Sequence, residues 1–102
     1  MHDPGQVVLV AEVTALRGKC EQLRRALDEL IPQSLAEGGV ITFRLHEDRH
    51  EPGHFTLYER FRNQHSVDWH VQTDHFALAL EAFTEFAQGG APKITYYRML
   101  TD

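Results

Sequence analysis

Apolar positions along the chain fall into blocks with two different periods. From Val7 to Leu16 (VVLVAEVTAL), Val7, Leu9, Ala11 and Val13 occupy one parity and Val8 and Val10 the other, with Glu12 interrupting. A valine-rich run that is apolar on both parities predicts a strand buried on both faces. Arg17-Gly18 breaks the run, and Cys20, Leu23, Ala26, Leu27, Leu30 and Ile31 then recur at helical spacing, with Glu21, Arg24, Arg25 and Asp28 elsewhere around the wheel. Pro32 lacks an N–H and crowds the preceding turn, so it is expected to kink or tighten this helix, and Gly38-Gly39 to end it.

The period returns to two in VITFRLHED (40–48), where Ile41, Phe43 and Leu45 alternate with Thr42, Arg44 and His46. It persists in HFTLYERF (54–61), where Phe55, Leu57, Glu59 and Phe61 oppose Thr56, Tyr58 and Arg60. Between these strands Pro52-Gly53 suits the central positions of a type II turn, which predicts a hairpin. Asn63 or Ser66 can cap a short helix through Thr73, and Phe76, Ala79, Leu80, Phe83 and Phe86 or Ala87 form the stripe of a further helix. Gly89-Gly90 stop it, and KITYYRML (93–100) alternates as a last strand.

The order is β-α-β-β-α-β, the ferredoxin-like α+β arrangement, in one domain spanning 1–102. It places a four-stranded antiparallel sheet under helices packed on one face only. The other face would present Val8 and Val10 with Tyr58 or Tyr97 and Met99, too apolar to stay in water. Two sheets packed face to face about a twofold axis would bury it, so a homodimer is expected.

Bulk properties narrow the partners. A formal charge of −5 with no basic cluster longer than Arg24-Arg25 excludes nucleic acid, and no apolar run approaches the ~18 residues of a membrane span. MHDPGQ has neither the basic start nor the apolar core of a secretory signal, and the single Cys20 cannot close an internal disulfide, so a cytoplasmic location is expected. Cys20, on the apolar stripe of the first helix, reads as an inert buried thiol rather than a nucleophile.

Seven histidines raise the question of metal, above all in HSVDWHVQTDHF (65–76). Residues five apart on one α-helix stand ~140° apart around its axis, so His65, His70 and His75 are not expected to share a helical face. HExxH and CxxC patterns are absent, and no metal site is expected. Glu59 is more informative because it shares parity with Phe55, Leu57 and Phe61. A carboxylate in an apolar row must be paired, hydrogen-bonded or protonated. Two readings stay open: an ion pair with Arg98 or Arg60 or bonds to backbone N–H groups, or a role at a cavity beside His70, where a carboxylate holding an imidazole would make a general base. His70 itself reads either as that base or as a half-buried packing histidine.

The stretch GGVITFRLHEDRHEPGHFTLYERFRNQHSVDWHVQTDHFALALEAF resembles the antibiotic biosynthesis monooxygenase (ABM) domain, through Gly39, Pro52-Gly53, Tyr58-Glu59-Arg60, His70 and His75-Phe76. The resemblance covers Val7 to Met99 and implies a dimeric α+β barrel. The family's activities include cofactor-free oxygenation of quinols and anthrones, isomerisation of small phosphorylated carbonyl compounds, and haem degradation. Trp69 matches the haem-degrading relatives, but Val13 and Ala79 stand where their asparagine and histidine belong. Phe61 and Leu57 likewise replace residues of the anthrone-oxidising branch. What the resemblance then implies is oxygenation of a small quinol or enolisable aromatic by O2 without cofactor. His70 is expected as base, Glu59 as its orienting or charge-stabilising partner, and Phe43, Tyr58, Trp69, His75 and Phe76 around the substrate. In the isomerase alternative, Arg44, Arg60 or Arg98 would bind a phosphate or carboxylate; the third reading is a small-molecule-binding dimer without catalysis.

Overall fold

A computed structural model of the chain describes residues 5–101; the first residues of the MHDPGQ segment lie outside them. Its elements are β1 (Val7–Thr14), α1 (Cys20–Leu35), β2 (Val40–Glu47), β3 (His54–Phe61), α2 (Gln64–His70), α3 (Asp74–Phe86), a single 3₁₀ turn (Gln88–Gly90) and β4 (Lys93–Tyr97). The four strands form one antiparallel sheet in the order β2-β3-β1-β4, which is the expected ferredoxin-like α+β fold. Leu9, Ala11 and Val13 of β1 and Phe55, Leu57 and Phe61 of β3 point into the core with Leu23, Leu27 and Leu30 of α1 and Phe83 of α3.

The hairpin tip follows its turn chemistry. His54 N–H donates to the Glu51 carbonyl (3.2 Å) across Pro52-Gly53, and Gly53 takes φ = 86°, the left-handed value that position i+2 of a type II turn requires. Pro32 does not break α1, which runs three residues beyond it and stops at Leu35, short of Gly38-Gly39. Glu37 therefore lies outside the helix. Its N–H donates to Ser34 O (3.1 Å) and its carbonyl accepts from Val40 N–H (3.2 Å), so residues 37–40 form a turn of their own.

Two further departures bear on the site. The segment expected as one short helix through Thr73 ends at His70, and Thr73 starts a new helix as its N-cap, its hydroxyl accepting from Phe76 N–H (3.2 Å). The last strand ends at Tyr97 rather than at residue 100, because its partner β1 begins at Val7 and the last paired residues are Val8 and Tyr97. Cys20 is half-buried against the core, less enclosed than its helical stripe implied.

Candidate active site

A cavity of about 270 Å³ lies between the sheet and helices α2 and α3. Its walls are apolar, with Ala11, Phe43, Leu57, Phe76 and Phe83 among them, and its polar groups are Glu59, His70 and Tyr96. Val71, Leu80, Ile94 and Tyr96, all lining residues, are exposed at its rim.

His70 is the most constrained of the polar groups. It closes α2, a helix capped by Asn63, whose side chain accepts from Ser66 N–H (2.9 Å) and Ser66 Oγ–H (2.9 Å). The imidazole is 3% exposed and sits among Phe43, Phe61 and Phe76, with ring centroids 5.5, 5.4 and 5.3 Å away. Its Nδ1 donates to Glu37 Oε2 at 2.7 Å, and the same oxygen accepts from His75 Nε2 at 2.6 Å. This fixes the tautomer: with the Nδ1 proton given to a carboxylate, a neutral His70 keeps its lone pair on Nε2, the nitrogen with no hydrogen-bond partner among the described residues.

Glu37 is held for this task by the backbone. Its turn is fastened to the chain just before α2, Arg62 N–H donating to Gly39 O (2.8 Å) and Arg62 Nε–H to Gly38 O (2.9 Å). The close approach depends on Gly39, where a Cβ would overlap the Ser66 side chain. Glycine at this position is thus a packing requirement between the Glu37 turn and the helix that carries His70.

His70 and His75 meet because they do not belong to one helix. Val71-Gln72-Thr73 interrupts the chain, and Thr73 Oγ1 donates back to the His70 carbonyl (2.7 Å) before capping α3. The ~140° separation holds within a continuous helix and does not apply across this break. With Glu37 the two histidines bring their ligating atoms within 4.8 Å of one another, a donor set of the kind that holds divalent metals. Donor atoms sharing an ion at ~2.0–2.1 Å stand about 3 Å or more apart. The separations of 2.6 and 2.7 Å are those of shared protons, and we read the cluster as hydrogen-bonded.

Glu59, on β3, reaches the same cavity from the sheet and is 6% exposed. Among the described residues its carboxyl makes no hydrogen bond or ion pair: Arg60 is on the other side of the sheet with its guanidinium on Gln6 Oε1 (2.6 Å), and Arg98 is on that side too. The ion-pair reading is therefore corrected. Burial among apolar side chains, with the Glu37 charge adding to it, pushes the Glu59 pKa up to about 8. The expected orienting partner of His70 is corrected as well, from Glu59 to Glu37.

Of the residues expected around a substrate, Phe43 and Phe76 line the cavity. Tyr58 and Arg98 do not: they join Val8, Val10, Tyr97 and Met99 on the sheet's open face, because Tyr58 has the parity opposite to Glu59. Trp69 is 61% exposed, turned outward by the ~100° that separates adjacent helical residues. His75 borders a separate cleft between α1 and α3 and touches the site through Glu37. Glu37 went unrecognised in the sequence: it follows the helical stripe and precedes a glycine pair, and its partners are 33 and 38 residues away. The TDHF cap at Thr73 is the signal that would have separated His70 from His75 helically.

Comparison with known proteins agrees with this architecture. A family model described as antibiotic biosynthesis monooxygenase matches residues 6–82. The crystal structure of PA3566 from Pseudomonas aeruginosa superposes with a TM-score of 0.89 at 31% identity, covering 99% of this chain and 100% of that one. That of SO0527 from Shewanella oneidensis gives 0.88 at 28% identity, covering 95% and 93%. The protein sll1783 of Synechocystis is 29% identical over 70 residues, 69% of this chain and 48% of that protein, so the match spans about half of the relative's length. With more than half its length matched by the family model, this chain belongs to the antibiotic biosynthesis monooxygenase family.

Proposed function

We propose that this protein is a cofactor-independent monooxygenase acting on a small quinol or a related enolisable aromatic. The observation that carries the reading is the pairing, in one apolar cavity, of an imidazole anchored through Nδ1 with a carboxyl group that burial keeps neutral at pH 7. Groups pushed toward opposite roles by their surroundings make a base and an acid. His70 Nε2 takes a proton from the substrate, and the Glu59 O–H donates to the oxygen on which negative charge develops. The apolar walls withhold water from the anion, which makes it a better electron donor to O2.

The reaction balances on the substrate alone. A hydroquinone, whose keto tautomer has an acidic CH2 group, takes one oxygen atom onto that carbon to become a hydroxyquinone. The other oxygen leaves as water, and the substrate supplies all four electrons. The cavity, about 270 Å³, suits one or two fused rings. The isomerase alternative finds less support, since Arg44, Arg60 and Arg98 all lie on the opposite side of the sheet from the cavity.

Oxygen uptake by chelator-treated protein over a panel of hydroquinones is the test. Turnover above the buffer rate is expected, and His70→Ala should lower it about 10²-fold or more without unfolding the protein. Uptake no faster than buffer, or unaffected by His70→Ala, would remove this reading.

A homodimer belongs to the same proposal. Val8, Val10, Tyr58, Tyr97 and Met99 bring apolar surface together on the open face of the sheet, and a second copy would cover it. Sedimentation equilibrium should return twice the chain mass of 11.7 kDa, and Val10→Asp should shift it to one; a monomeric wild type would refute this.

A further inference from the structure

The cluster of Glu37, His70 and His75 is hydrogen-bonded as it stands, and the atoms that share its protons are also metal-ligand atoms. His70 Nδ1 and His75 Nε2 approach one carboxylate oxygen, Glu37 Oε2, from 33 and 38 positions away in the chain, at 2.7 and 2.6 Å. All three donors lie within 4.8 Å of one another. Two imidazoles and a carboxylate suit zinc, whose sites often take three protein ligands and leave a fourth place to water. Binding at ~2.0–2.1 Å requires the donors to part to about 3 Å or more. Glu37 and His75 can share that movement, since one is carried by a turn and the other is 13% exposed. An entry path is at hand. His75 lines a cleft of about 40 Å³ between α1 and α3, whose wall carries the Glu29 carboxylate and the Gln33 amide and no lysine or arginine. The cleft has room for the water that completes the coordination.

We propose that Glu37, His70 and His75 form a binding site for a divalent cation of the zinc type, and that filling it switches off the base in the cavity. The second half rests on the oxygenase reading, which makes His70 Nε2 the base; the first stands on the cluster alone. The switch follows from the tautomer. A neutral imidazole holds one proton, and in the hydrogen-bonded cluster the proton of His70 is on Nδ1. Zinc needs the Nδ1 lone pair, so that proton moves, through water, to Nε2. His75 changes in the opposite direction, from Nε2–H to Nδ1–H. No proton is gained or lost: each ring exchanges one tautomer for the other, the Glu37 carboxylate stays ionised, and the cluster gains the two positive charges of the ion. His70 then presents an N–H to the cavity where it presented a lone pair, and a substrate proton has nowhere to go. Because zinc has no redox chemistry of its own, loss of turnover reports this change rather than a new route to O2.

The test is a zinc titration of the chelator-stripped protein, read by ¹⁵N NMR of the histidine rings. Saturation is expected to convert His70 from the Nδ1-protonated to the Nε2-protonated form and His75 the other way. An unchanged His70 ring would overturn the proposal, whether zinc binds nowhere or only to other histidines such as His46, His50 and His54 around the hairpin. His75→Gln, whose amide can still donate to Glu37, should raise the zinc concentration at which the His70 ring responds by about 100-fold or more. Even a partner one step removed from a metal contributes about 10–100-fold. An unshifted midpoint would equally refute the site, and should this variant not fold, the wild-type titration decides alone. Oxygen uptake keeps the two readings apart. Turnover lost in step with the tautomer change supports both, whereas a changed tautomer with turnover intact supports the site and removes His70 as the base.

Discussion

Two buried carboxylates face each other's electrostatic field in this small domain, and they live in different circumstances. Glu37 is carried on a backbone turn fastened by Arg62 and gives one oxygen to two imidazoles. Glu59 projects from the middle of a sheet strand into an apolar cavity and has no partner among the described residues. Both are enclosed, so enclosure does not decide what a carboxyl group does. The neighbours do: one group becomes a connector between histidines, the other a neutral acid.

The contrast can be broken from either side. Glu37→Leu would leave two enclosed imidazoles without their acceptor, and a stability loss of about 3–5 kcal/mol is expected from urea denaturation. Oxygen uptake should vanish with it, because nothing then holds the Nδ1 proton of His70. A loss below about 1 kcal/mol would mean that the cluster contributes little to the fold.

Glu59→Gln should act with the opposite sign. A group whose folded pKa of about 8 exceeds its ordinary value of 4.5 takes up a proton on folding between those limits. Stability of the wild type should therefore fall as pH rises from about 4.5 through about 8 and then level off, because the unfolded chain binds fewer protons there. Glutamine has no proton to lose. At about 1.4 kcal/mol per pH unit, the variant should match wild type near pH 4.5 and exceed it by about 5 kcal/mol at pH 9. Equal melting curves at both pH values would show that Glu59 is not desolvated.

Gly39→Ala sharpens the comparison by disturbing one carboxylate and sparing the other. The added methyl overlaps Ser66, which should cost about 1–3 kcal/mol as overpacking and displace the Glu37 turn relative to α2. Turnover should drop while the pH dependence assigned to Glu59 survives. If Ser66→Gly in the same chain restores neither, the contact is not the cause.

The fold was legible because its signals are local. A valine-rich run apolar on both parities marked the first strand and period-two alternation the other three, Pro52-Gly53 marked the hairpin, and the parity of Glu59 with Phe55, Leu57 and Phe61 placed a carboxyl group on the core side. That same parity also put Tyr58 on the far face, a consequence that the family motif Tyr-Glu-Arg obscured by presenting three neighbours as one site. The cluster was illegible because its bonds join residues more than thirty positions apart, and because a helix wheel drawn through residues 65–76 runs across a cap. Helical phase is lost at each N-cap, so spacing arguments for ligands or catalytic groups have to be restarted there. The last strand is shorter than its alternation for another reason: the pattern continues to Leu100, but strand length is set by the partner, and β1 begins at Val7.

That short last strand also bears on how the protein behaves in a crowded solution. β4 is an outer strand of the sheet, and its free edge is the kind of backbone template on which other chains can add and aggregate. Only five residues of it are extended, a proline stands immediately before them and Lys93 opens them, three features that discourage edge-to-edge growth. Lengthening β4 by completing its alternation would thus trade colloidal safety for pairing.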